Sequence, residues 1–198
     1  MRPLQRPANS NTYTTYKKYK PDLLKAFGGY CAYCEKKDGD LDIEHVEPTS
    51  KGEGATDWNN LLLGCPSCNR DFKKAKNLGR AGYAFPDTDE TFAIFRYHDD
   101  GRIDGITDEA KATIKLCGLN RDPGALSNRA DAFKRACHMK QLIQARKLSP
   151  NDVISLVGGF WSVWMTVFHD VPEVIALLSD PQHFLGTRPQ FQKPHPPI

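Results

Sequence analysis

Two Cys-x-x-Cys pairs constrain this chain more than any other feature. Cys31-Ala32-Tyr33-Cys34 and Cys65-Pro66-Ser67-Cys68 are separated by residues 35–64. A structural zinc ion takes four thiolates in a tetrahedron at about 2.3 Å, and two such turns supply them without strain. The spacing therefore predicts that residues 31–34 and 65–68 meet around Zn²⁺, with the intervening segment closed as an insertion. In a reducing compartment this pattern points to metal rather than to disulfides. A redox dithiol would need low-pKa thiols beside a βαβ unit, and no such unit is visible. Four thiolates leave no open coordination position, so the zinc is structural and any catalysis must lie elsewhere. The other two cysteines, Cys117 and Cys137, sit singly in helical patterns and read as small buried hydrophobes.

The inserted segment is the place to look for chemistry. Residues 41–46 alternate apolar and polar side chains, the period-2 mark of a strand, and Pro48 ends it. Residues 49–56 form a Gly-containing loop, and residues 58–64 lead into the second knuckle. Residues 69–77 are lysine-rich and helical in pattern, with Gly79 just beyond. Taken alone, His45 on a strand reads as structural, Asn69 before a helix as a cap, and Asp42 as a solvated strand residue. Taken together, Glu44-His45 with Pro48, Asn60-Leu61 and Cys68-Asn69, framed by the cysteine pairs, say more.

This order and spacing over residues 30–76 resembles the HNH endonuclease family, with Asn69 standing where the third letter of the motif is His. The resemblance implies an α+β fold: a ββα-metal module at residues 30–80, braced by the four-cysteine zinc. It also implies roles. His45 is the general base, since a neutral imidazole accepts a proton near neutral pH. Glu44 and Asn69 offer oxygens to a catalytic Mg²⁺ or Mn²⁺ ion, hard cations that prefer oxygen ligands. Asn60 positions the loop that carries His45. Arg70, Lys73, Lys74 and Lys76 grip flanking phosphates. One geometric difficulty is built in. Glu44 and His45 are neighbours, and a regular strand points neighbours to opposite faces. Glu47 is the substitute ligand.

Charge distribution is compatible with this reading but does not require it. Net charge is only +3. Residues 1–26 carry six Lys or Arg against Asp22, residues 35–53 hold seven acids, and residues 70–80 carry five Lys or Arg against Asp71. Acids flanked by bases suit a metal centre that meets a polyanion, although solvated faces give the same pattern.

Outside the module, residues 1–29 read as a basic N-terminal arm, with Tyr13, Tyr16 and Tyr19 among lysines, followed by a short helix from Pro21 to Phe27. Residues 81–187 read as mixed and then helical. A strand over 92–97 turns at Asp99-Asp100-Gly101 into a partner at 102–106. Thr107 caps a helix closed by Gly118, Pro123 starts a longer one, and Ser149-Pro150 opens another. Phe160, Trp161 and Trp164 suit a core, with partner anchors as the alternative. Residues 188–198 form a Pro-rich tail. The opening Met1-Arg2-Pro3-Leu4, the Tyr30 to Glu35 stretch and the segment Ala110 to Arg129 are similar to HNH subunits of Septu-type and retron-associated antiviral defence systems. That similarity implies an ATPase partner docked on the helical part. Asn120 and Arg129 read otherwise as a helix cap and a surface or interface salt bridge. With no apolar leader and no membrane-length apolar run, a cytoplasmic protein is expected. Two rival readings are a non-catalytic zinc module that binds nucleic acid, and an interaction scaffold in which the helical half is the functional part.

Overall fold

The computed structural model describes residues 1–49 and 55–188. The middle of the Gly-containing loop and the Pro-rich tail from residue 189 onward lie outside the described residues.

The expected strand forms as β1 (Asp42–His45) and pairs antiparallel with β2 (Leu61–Gly64). The register places Glu44 opposite Leu62 and His45 opposite Leu61. Every residue of β2 is buried, because it packs against α1 (Lys20–Phe27) on one side of the hairpin and supports the module on the other. The third element differs from a plain α-helix. It is a π-helix, Ser67–Lys73, and begins inside the second cysteine turn. The Lys74 N–H donates to the Asn69 carbonyl at 2.7 Å, an i to i+5 bond. π-helical turns are rare and concentrate at functional sites. The result is a mixed fold: a ββα module with a cysteine cluster, then a mainly helical region.

The second hairpin comprises β3 (Phe95–Tyr97) and β4 (Ile103–Gly105). Residues 92–94, expected in the first strand, instead end a single turn, α2 (Thr91–Ile94). Two contacts favour that turn: the Thr91 hydroxyl donates to the Met1 carbonyl at 2.7 Å, and the Phe92 ring packs edge-on against Trp161. Gly101 makes the hairpin turn at φ +88°, where a Cβ would lie 2.2 Å from the Leu126 carbonyl oxygen.

Helices then follow as read. Thr107 caps α3 (Asp108–Leu116) by accepting from the Ala110 N–H. α4 (Ala125–Gln144) is the longest element, and α5 (Pro150–Leu156) begins at Ser149, whose N–H and hydroxyl both donate to Asp152. α6 (Trp161–Val167) is buried at all seven positions and packs between α4 and α7 (Pro172–Ser179). Phe160, Trp161 and Trp164 are therefore core residues. Cys117 is fully buried and Cys137 half-buried. Among the described residues, no helix is long and apolar enough to cross a membrane.

Two expectations are corrected. Within the basic N-terminal stretch, residues 1–4 are not a free arm, because Met1, Arg2 and Leu4 are buried. The Arg2 guanidinium donates to the carbonyls of Leu185 and Phe27 and to the Thr187 hydroxyl. Arg6 donates to the carbonyls of Trp58 and Leu61 and pairs with Asp87. Neither charge is left for a partner. Nor does Arg129 form a surface ion pair or Asn120 a helix cap. Arg129 is 2% exposed and donates to the carbonyls of Gly101 and Leu119 and to the Asn120 amide oxygen. Asn120 in turn exchanges two bonds with the Ile103 backbone. Both lock the second hairpin to α4.

Candidate functional site

The cysteine pairs meet as their spacing requires. Cys31, Cys34, Cys65 and Cys68 are all buried, and their four sulfurs lie within 4.8 Å of one another. A tetrahedron with about 2.3 Å bonds has edges of about 3.8 Å. The Cys34–Cys65 sulfur distance of 3.7 Å matches it. The backbone explains the convergence. Ala32 of the first turn donates to Leu63 of β2, and β2 leads directly into Cys65. This donor set fits Zn²⁺.

His45 ends β1. Its Nε2 lies 2.9 Å from the Ala55 carbonyl oxygen. A carbonyl only accepts, so Nε2 carries the proton, and in the neutral imidazole Nδ1 is the acceptor nitrogen, with no hydrogen bond among the described residues. The Tyr16 ring packs edge-on against the imidazole, with centroids 4.7 Å apart. The backbone under and after His45 is held at three consecutive carbonyls. Lys73 Nζ donates to His45 O at 2.8 Å, Asn77 Nδ2 to Val46 O at 2.8 Å, and Asn60 Nδ2 to Glu47 O at 2.9 Å. The Asn60 amide oxygen also accepts from the Glu47 N–H at 2.7 Å. Three side chains from outside β1 therefore fix the turn that carries the imidazole.

Glu44 points away from this ring. It is 1% exposed, and its Oε1 accepts from the Tyr33 hydroxyl at 3.0 Å and pairs with Lys73 Nζ at 2.5 Å. Its Oε2 takes no hydrogen bond among the described residues. Burial holds the Glu44 carboxyl above its ordinary value, against the opposing pull of Lys73 and Tyr33. Asn69 stands on the same face of the hairpin. A Cβ at Gly64 would lie 3.3 Å from the Asn69 Cβ and 3.4 Å from the Glu44 Cβ, so Gly64 leaves room for both. The structure thus brings Glu44 and Asn69 together and places the His45 ring on the opposite side of β1, as strand alternation requires.

Of the expected phosphate-gripping residues, Arg70 is exposed but pairs with Asp42 at 2.9 Å, and Asn69 Nδ2 lies 3.5 Å from the same carboxylate. Lys74 and Lys76 are exposed with no ion pair among the described residues. Lys73 must be reassigned. It is 0% exposed with both bonds directed inward, so it holds Glu44 and His45 instead of a phosphate. Glu47, the substitute ligand, is half-exposed and faces Arg80. Among the described residues, the four cysteines are the sole cluster of three or more His, Cys, Asp or Glu suited to a metal. That does not count against a Mg²⁺-type site, which uses one or two carboxylates and leaves most positions to water and substrate.

Residues 31–74 match the family model for HNH endonuclease. The matched span runs from the first cysteine of the cluster to the end of the π-helix and contains Glu44, His45, Asn60, Asn69 and Lys73, but it is under a quarter of the chain. No curated protein matches the chain. Of the residues that hold the turn, Asn77 is absent from the sequence analysis, and Lys73 stands in it as a phosphate-gripping residue. Asn77 carries no motif signal. Lys73 follows Asn69 by four positions, but its burial is not legible, because lysine is almost never fully buried unless paired.

Proposed function

We propose that residues 30–80 form the catalytic module of a metal-dependent HNH endonuclease that hydrolyses phosphodiester bonds of nucleic acid, DNA ahead of RNA. The observation that carries this reading is the His45–Ala55 hydrogen bond, which leaves Nδ1 as a base on a turn fixed at three carbonyls. In this reading, His45 Nδ1 takes a proton from water, the water oxygen bonds to phosphorus, and the bond from phosphorus to the 3′ oxygen breaks. Glu44 Oε2 and the Asn69 side-chain oxygen would hold Mg²⁺ or Mn²⁺. That ion supplies charge neutralisation at the phosphate and at the departing oxygen. Asn60 and Asn77 keep the turn in place, and Lys73 keeps both β1 and the Glu44 carboxylate in place. Arg70, Lys74 and Lys76 supply positive charge beside the site.

At the level of biology, the proposal is a cytoplasmic nuclease of a bacterial antiphage system, acting with an ATPase docked on the helical region. This rests on the similarity of the opening residues and of residues 110–129 to Septu-type and retron-associated subunits. The rival with an observation in its favour is a non-catalytic zinc module, since Lys73 already neutralises Glu44 within the fold.

The test is incubation of zinc-loaded protein with plasmid DNA and with RNA in Mg²⁺ or Mn²⁺, with and without a candidate ATPase. Cleavage of one polymer that is lost in His45→Ala, with zinc content retained, supports the proposal. Binding without cleavage under every condition supports the non-catalytic module.

A further inference from the structure

Arg121 lies in the turn between α3 and α4, outside the matched residues 31–74. Its guanidinium nevertheless reaches the cysteine cluster. Nη1 donates to Cys68 Sγ at 3.4 Å, and Nη2 donates to Cys65 Sγ at 3.9 Å. Two further bonds fix its position, from Nη1 to the carbonyls of Cys117 at 3.3 Å and Gly118 at 3.0 Å. Its guanidinium carbon sits 5.4 Å from the centre of the Phe72 ring on the π-helix. Among the described residues, no other side chain outside the cluster donates to a cysteine sulfur.

Four thiolates around Zn²⁺ leave a net charge of −2 in a buried place, and unpaired buried charge is costly. A planar cation with several donors can address two sulfurs at once. We infer that Arg121 is a working part of the zinc centre, delivered by the helical region to neutralise the Cys65 and Cys68 thiolates and to hold the metal in the module. The neighbourhood makes this consequential. A cavity of about 490 Å³ opens on Cys34 and Cys65 and is walled by Arg121, Phe72, Lys36 and Phe160. Arg121 thus lies between the two buried sulfurs it bonds and the cavity that it lines with Cys34 and Cys65. Lys36 lines the same cavity but spends its ammonium on Asp38. It is the natural control.

The experiment uses the full chain, loaded with zinc, and follows release of the metal to the chromophoric chelator 4-(2-pyridylazo)resorcinol. Loss of an outer partner of a metal ligand typically weakens metal binding by about 10- to 100-fold. Arg121→Ala is expected to speed release by about tenfold or more, Arg121→Gln by less, and Arg121→Lys least. Lys36→Ala is expected to release zinc at the unmodified rate. In the cobalt-substituted protein, the thiolate-to-metal charge-transfer band is expected to shift in Arg121→Gln and Arg121→Lys, a change that mere loosening of the fold does not produce. Should Arg121→Ala fail to fold, the Gln and Lys variants decide. Release at the unmodified rate with an unshifted cobalt band in both overturns the inference. No step depends on nuclease activity, so the outcome is independent of the proposed function.

Discussion

At residue scale, the account turns on Lys73, whose one ammonium serves both a carboxylate and a backbone carbonyl. Removing one partner of a buried ion pair costs about 3–5 kcal/mol, because the other charge is left unpaired. Lys73→Met is therefore expected to lower unfolding free energy by an amount of that order, measured by urea denaturation. Adding Glu44→Gln to Lys73→Met is expected to recover part of the loss, since the orphaned charge disappears. A double variant no more stable than the single one would show that the pair is not coupled. A second residue-scale expectation concerns acid. The Asp87 side chain is only 3% exposed, which raises its carboxyl pKa, but bonds from Arg80 and Arg6 outweigh this and hold it below its ordinary value of 3.8. A depressed folded-state pKa contributes stability that is complete above the unfolded value and is lost as pH falls through the folded one. Melting temperature is thus expected to fall steeply below about pH 4, and Asp87→Asn is expected to flatten that limb while lowering stability at neutral pH. An identical pH profile in the variant would count against this ion-pair cluster.

At the scale of elements, the π-helix joins the two halves of the protein. Phe72, on its outer turn, lies under the α3 C-terminus, where Gly118 has φ +58° and a Cβ would sit 2.2 Å from the Phe72 ring. Gly118→Ala combines left-handed backbone cost, about 1–2 kcal/mol, with a clash against a ring held between Gly118 and Arg121. It is expected to destabilise by more than the backbone term alone, and Phe72→Ala introduced beside it to relieve part of that loss. Denaturation of the single and double variants measures both. Much at this scale was legible in the sequence. The cysteine spacing gave the cluster, Thr107 and Gly118 the ends of α3, and the 41–46 alternation β1. The exceptions have identifiable causes. The N-terminal residues look like a basic arm because Arg2 and Arg6 find their partners at Phe27, Trp58, Asp87 and Leu185, far away in sequence. Residues 92–94 look like strand because Phe92 is apolar in either conformation, and only its packing on Trp161 decides. The candidate site was legible as a set of residues but not as a geometry. Glu44 and His45 do leave opposite faces, and only the fold shows that Lys73 bridges them from beneath.

At the scale of the whole molecule, the helical region does more than follow the ββα module. Arg129 and Asn120 fasten the second hairpin to α4, and Arg121 reaches the cysteine cluster from the turn before it. Asn60 and Asn77 then hold the turn carrying His45 from the chain on either side of the second cysteine pair. Asn60→Ala is expected to lower the cleavage rate more than it lowers melting temperature, because it releases the Glu47 backbone beside the proposed base, His45; a loss of stability with an unchanged rate would remove its positioning role. The central claim is that His45 acts as the base on this scaffold. It is tested most directly by comparing initial cleavage rates of the unmodified protein and His45→Ala at equal zinc content in saturating Mn²⁺. General-base catalysis contributes about 10²- to 10⁴-fold, so the account predicts a loss in that range with folding intact. Equal rates in the two proteins would contradict it.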